Sequence, residues 1–208
     1  MKKSILLGLL VVGIVFTSCK STIPTTDNVY PTVYFQFLPT SNSGEDIFII
    51  KGEGTVKIGN QAVQPFNFDS DVLYLKKDNV YNTLIGGSDD KDPSNGKGAV
   101  LSASLIMPSN RIINISNTAE ITSGKWDESS LTTTPNTRTF RYTSDPDDIR
   151  DGTVISPNIT PRLQNISGSG IDDFEFTLTV TDYFDHATAK TLVVRITNAA
   201  SHIGFGEL

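Results

Sequence analysis

Two stretches of the chain concentrate carboxylates. One is Asp89-Asp90-Lys91-Asp92-Pro93-Ser94-Asn95-Gly96; the other is Ser144-Asp145-Pro146-Asp147-Asp148-Ile149-Arg150-Asp151-Gly152. Hard cations need several oxygens converging on one point, and flexible acidic loops supply them. Asp90, Asp92, Asp145, Asp147, Asp148 and Asp151 are the candidate ligands, and calcium is the one cofactor they suggest. The spacing departs from the helix-loop-helix calcium pattern: counted from Asp90 the glycine arrives one residue late, and Ile149 stands where an oxygen belongs. Solvated turns are the commoner use of such residues.

Trp126, the only tryptophan, lies in the polar run Ser123-Gly124-Lys125-Trp126-Asp127-Glu128. An exposed indole is a flat platform for a sugar ring, and Tyr142, Tyr183 and Phe184 extend such a platform if they share its face. The opposing expectation is an indole folded over the end of a core as a plug, because large aromatics are mostly buried.

Catalytic groupings are thin. Ser167-Gly168-Ser169-Gly170 lacks the spacing and the strand-turn-helix setting of a nucleophile elbow. A Ser-His-Asp triad would need His186 or His202, the only histidines, which fall in a loop and in the tail. There is no phosphate loop and no dinucleotide fingerprint. With one cysteine, Cys19, neither an internal disulfide nor a Cys/His zinc site can form. The chain reads as a non-enzyme. Seventeen basic residues against 23 acidic, a net charge of −6, and no Lys/Arg cluster argue against nucleic acid as a partner.

The elements that must position these residues read as strands. Phe174, Phe176, Leu178 and Val180 alternate with Glu175, Thr177, Thr179 and Thr181, and Leu192, Val194 and Ile196 alternate in the same way. A period of two marks a strand with one dry and one wet face. Residues 173–198 therefore predict a long antiparallel hairpin. Each large apolar side chain it buries contributes roughly 1.5–3 kcal/mol, so the hairpin must lie against a second sheet.

From Tyr30 onward short strand-like runs follow one another, seven in each half, and Gly59-Asn60 reads as a tight turn between two of them. The expectation is an all-β chain of two β-sandwich domains in tandem, 30–108 and 109–208, with one larger β-sandwich as the alternative. Pro108-Ser109-Asn110 marks the boundary by turn chemistry. The tail carries Ile203, Phe205 and Leu208, which suit docking on a partner or adding to a sheet edge; the plainer expectations are a tail packed back on its own domain or a disordered one.

Lys2 and Lys3 precede the apolar run Ile5–Phe16, which is too short to span a bilayer and ends in Phe16-Thr17-Ser18-Cys19. This resembles a bacterial lipoprotein signal, with Phe16 in place of the usual Leu. The resemblance implies cleavage of residues 1–18, lipid on the Cys19 thiol, a tether over 19–29 and a mature net charge of −8. It implies the outer membrane as destination. Thr/Asn-rich lipoproteins of this kind resemble those of the Bacteroidetes group. Their surface-export tag is an acidic run after the cysteine, and Lys20-Ser21-Thr22-Ile23-Pro24 is not acidic. The periplasmic face is therefore favoured over the cell surface.

The hairpin itself resembles the last two strands of bacterial immunoglobulin-like, PKD-like or cadherin-like modules, without the glycine-rich turn and Trp-x-Phe-Gly element of the PKD type. That resemblance implies an immunoglobulin-like second sandwich serving as spacer, adhesion or recognition unit. The expected role is a membrane-anchored binding or scaffolding module, its partner an envelope protein or a glycan. The alternative is a glycan-binding component of a polysaccharide-uptake or adhesion system.

Overall fold

The computed structural model describes residues 29–40, 47–89, 100–108, 113–116, 126–129, 137–145, 151–162, 173–198 and 203–207. All regular elements among them are strands: β1 (Thr32–Pro39), β2 (Phe48–Lys51), β3 (Thr55–Ile58), β4 (Gln64–Pro65), β5 (Asp71–Lys76), β6 (Tyr81–Ser88), β7 (Val100–Pro108), β8 (Ile113–Ser116), β9 (Trp126–Ser129), β10 (Thr137–Thr143), β11 (Gly152–Ile155), β12 (Asn158–Pro161), β13 (Asp173–Asp182), β14 (Ala187–Thr197) and β15 (Ile203–Glu207). The chain is all-β, as the alternating pattern predicts.

The strands form two sheets. Sheet A runs β4-β3-β2-β1-β6-β12-β8, with β11 also paired to β6; sheet B runs β15-β5-β14-β13-β7-β10-β9. Alternation sets which side chains point inward. Val33, Phe35 and Phe37 of β1 and Phe48 and Ile50 of β2 meet Phe176, Leu178, Leu192 and Val194 in one continuous core. Phe37 packs edge-on against Phe176 with ring centroids 6.0 Å apart, joining the sheets at their centres. The predicted hairpin is there in full: β13 and β14 pair from Asp173↔Arg195 to Thr181↔Ala187 at the middle of sheet B.

The tandem arrangement divided at 108/109 is corrected: the two halves share both sheets, so the single larger sandwich is what the chain forms. β6 of the first half pairs with β11 and β12 of the second. β7 lies between β10 and β13, and β5 runs parallel to β14. The turn chemistry after Pro108 marks only a change of chain direction, which looks the same whether the next strand joins the same sheet or a new domain. One further strand departs from the expected pattern: Trp126–Ser129 is a strand rather than a polar stretch. Ile203–Glu207 adds antiparallel to β5 at the edge of the chain's own sheet, in line with one of the expectations for the tail. Phe205 of β15 reaches Phe48 and Phe66, so the tail helps close the sandwich.

Candidate binding surface

The strand directions gather the turns into two poles. At the pole where β1 begins lie the β2–β3 turn, the end of β6, the start of β11 and the β13–β14 turn. Asp89 N–H donates to the Asp151 carbonyl (2.9 Å), so one residue of each acidic stretch lies beside the other. Asp145 and Asp151 are exposed there. Asp90, Asp92, Asp147 and Asp148 lie outside the described residues, as does Cys19. Among the described residues no group of three or more metal-ligating side chains forms.

The β13–β14 turn is built around Asp182, whose side chain is fully buried. One carboxylate oxygen accepts the Phe184 and His186 backbone N–H groups (2.7 and 2.8 Å), and the other lies 3.0 Å from His186 Nδ1. Asp185 adopts a positive φ of 65°, which an aspartate tolerates better than most residues. Tyr183 Oη is 2.7 Å from Ser144 Oγ, and the His186 ring stacks at 4.8 Å on Tyr30, where the chain comes into the sandwich. Tyr183 and Phe184 thus serve the turn and its neighbours.

Trp126 does not present an exposed platform. It is 3% exposed, its Nε1–H donates to Thr153 Oγ1 (2.8 Å), and its ring lies 5.9 Å from that of Tyr142, which is also buried. Because Trp126 belongs to sheet B and Thr153 to sheet A, the indole staples the sheets at one side. This is the plug of the two sequence expectations. The four residues Trp126, Tyr142, Tyr183 and Phe184 therefore do not make a common sugar-binding face.

The surface with open valences is the outer face of sheet B. Register places Arg141 opposite Ser104, and Ser104 opposite Thr179; the next row is Thr143, Ser102 and Thr181. These side chains project outward, because Phe140, Tyr142, Leu105, Leu178 and Val180 on the same strands point into the core. Together they border a shallow depression of about 290 Å³. Ala187 and Ala189 continue the rows into β14 with side chains too short to obstruct them.

The arginines of sheet B differ in their commitments, Arg138 sharing the parity of the inward-pointing Phe140 while Arg141 and Arg195 belong to the outer face. Arg138 grips Glu128 through two bonds of 2.7 Å, and that guanidinium holds the Glu128 carboxyl below its ordinary range. Arg195 grips Asp173 (2.6 and 2.7 Å) and lies over the Tyr74 ring. Arg141 is exposed and forms neither a hydrogen bond nor an ion pair, although Asp127 stands opposite it on β9. Thr177 and Thr191 bond to each other (3.0 Å), whereas Ser102, Ser104, Thr143, Thr179 and Thr181 have hydroxyls engaged with no other side chain. Thr179 and Thr181 were legible as the wet side of the β13 alternation. Nothing in the linear pattern said that β7 and β10 would bring two serines, Thr143 and an arginine beside them.

A second cavity of about 410 Å³ lies at the amino-terminal pole, lined chiefly by Val33, Tyr34, Ile49, Lys51 and Thr188. Burial pushes the Tyr34 phenol above its ordinary range. Its lining is mostly apolar.

The chain matches no protein-family model and no curated protein. Among solved structures it is similar to the collagen-binding subdomain of the Enterococcus faecalis surface protein ACE. That match has 14% identity and a TM-score of 0.34, over 65% of this chain and 99% of that one. It is also similar to a cohesin module from a Clostridium perfringens family 33 glycoside hydrolase, at 13% identity and a TM-score of 0.32, over 61% and 96% of the two chains. A third likeness is to BcpA, the major pilin subunit of Bacillus cereus, at 10% identity and a TM-score of 0.34, over 79% and 64%. Likenesses this slight carry no function across. The fold described above rests on this chain's own strand pairings.

Proposed function

We propose that the chain is a lipoprotein of the bacterial outer membrane, anchored through Cys19 on the periplasmic face, that acts there as a non-enzymatic binding or scaffolding module. The observation that carries this reading is the outer face of sheet B. It is a broad surface whose backbone groups are used up in the strand ladders, while an arginine and five hydroxyls stand without partners. Such a surface is equipped to recognise rather than to react: it has donors and acceptors, but no nucleophile beside a base. The glycan-binding alternative draws its support from this face instead of from Trp126.

The tether supports the same reading. Tyr30 fixes the incoming chain on the β13–β14 turn. From Cys19 to Tyr30 the chain spans at most about 40 Å when extended. Lipid on Cys19 would hold the module near a membrane surface and raise its effective concentration towards anything displayed there. A crosslinked pull-down from membranes, with wild type beside Cys19→Ala, tests this, together with mass spectrometry of the mature amino terminus. The expected result is an acylated Cys19 and envelope material recovered only with the anchored form. An unacylated terminus, or equal recovery by both forms, overturns the reading.

A further inference from the structure

Resting on that reading, we propose that the depression around Arg141 is a subsite for an acidic glycan, a sugar chain whose ring carries a carboxylate. The other arginines of sheet B are already committed. Arg138 and Arg195 each have a carboxylate in a two-pronged grip within the molecule. Arg141 has the same fork and nothing in it. A guanidinium offers five donors in one plane, and two of them match the oxygens of a carboxylate at once. The overall charge of −6 repels anions at long range, so an open cation on this face marks the place where one can be held.

The hydroxyls then decide between kinds of anion. Ser104, Thr179, Thr143, Ser102 and Thr181 form two rows, about 4.8 Å apart between strands and about 6.8 Å apart along them. Each hydroxyl both donates and accepts, as each sugar hydroxyl does. An acidic peptide has a backbone to satisfy, and the middle of a sheet offers it no free N–H or C=O; peptides pair at edges. A glycan has no such need. The depression is shallow and built of short side chains, which admits a ribbon lying flat. Arg141 takes the carboxylate and the two rows take the ring hydroxyls. Asp127, opposite Arg141 on β9, opposes any anion and sets an upper bound on affinity.

Binding to polygalacturonate is measured by calorimetry at low salt, with neutral dextran and poly-glutamate as comparators. Polygalacturonate should bind, dextran should not, and poly-glutamate should bind at least tenfold more weakly. Arg141→Gln should weaken polygalacturonate binding by about tenfold or more, because charge-assisted bonds are lost. Arg141→Lys should recover only part of it, since the ammonium lacks the planar fork. Asp127→Asn should tighten binding by a few fold, a gain that a purely structural role for these residues would not produce. Lys57→Gln, which removes an exposed cation from sheet A, should change nothing. Poly-glutamate binding as tightly as polygalacturonate, equal losses for Lys57→Gln and Arg141→Gln, or no binding of polygalacturonate would each overturn the proposal. The anchored-module reading would survive any of these if the membrane pull-down depends on Cys19.

Discussion

At the scale of single residues, Tyr81 shows how a side chain holds the frame. Its ring is fully buried, and its hydroxyl accepts the Lys76 backbone N–H at 2.8 Å, tying the β5–β6 turn to the sheet. Burial pushes the phenol up to about 12, offset in part by Lys76 and Asn79. The folded state therefore favours the neutral phenol more than the unfolded chain does. Its contribution to stability is complete below about pH 10 and is lost as pH rises through about 12. Tyr81→Phe should lower stability by about 1 kcal/mol at neutral pH and flatten the alkaline decline, both visible in urea titrations at pH 7 and pH 11. Trp126 was the residue whose role was hardest to read. The sequence around it is polar, yet the indole is buried because Thr153, 27 positions away, supplies both a wall and an acceptor. No local pattern reports a partner that distant.

At the scale of elements, β6 is where the two halves of the chain are sewn together. It carries β1 on one side and β11 and β12 on the other. Gly86 permits this, for a Cβ there would stand 2.1 Å from the Thr153 carbonyl oxygen and 2.9 Å from the Val154 Cα. Gly86→Ala should push β11 off β6 and lower stability by about 1–3 kcal/mol, as overpacking does. Chemical denaturation would read this directly, and an unchanged midpoint would mean that β11 does not lie where described. Strands that alternate over many residues, such as β13 and β14, were readable from the sequence because each half-turn of the chain repeats the same inward choice. Two of the short strands carry no such period. β9 has four residues and β15 has two glycines in five, too few apolar positions to impose a period. Both become strands only because a longer neighbour, β10 or β5, offers an unfilled ladder.

At the scale of the whole molecule, one core spans both sheets, and strands from each half contribute to it. Pairings such as β5 with β14 join residues more than a hundred positions apart. The chain should therefore unfold in one cooperative transition, with fluorescence and circular dichroism coincident, and a fragment ending at Pro108 should not fold alone. Two separated transitions would restore the tandem arrangement. Sequence patterning reached the fold class, since alternation is a property of each strand. It did not reach the partition into sheets, because that depends on which distant strand is the better neighbour. The same limit applied to the binding surface: Thr179 and Thr181 lie in one strand, but Arg141, Thr143 and the two serines join them only through cross-strand register.

Which flank of the anchored molecule meets the envelope is measured by site-directed photocrosslinking in intact cells. A photoreactive residue in place of Thr179, on the outer face of sheet B, should capture envelope material, while one in place of Lys57, on the outer face of sheet A, should capture none. Capture from position 57 with silence at 179 would contradict recognition through sheet B.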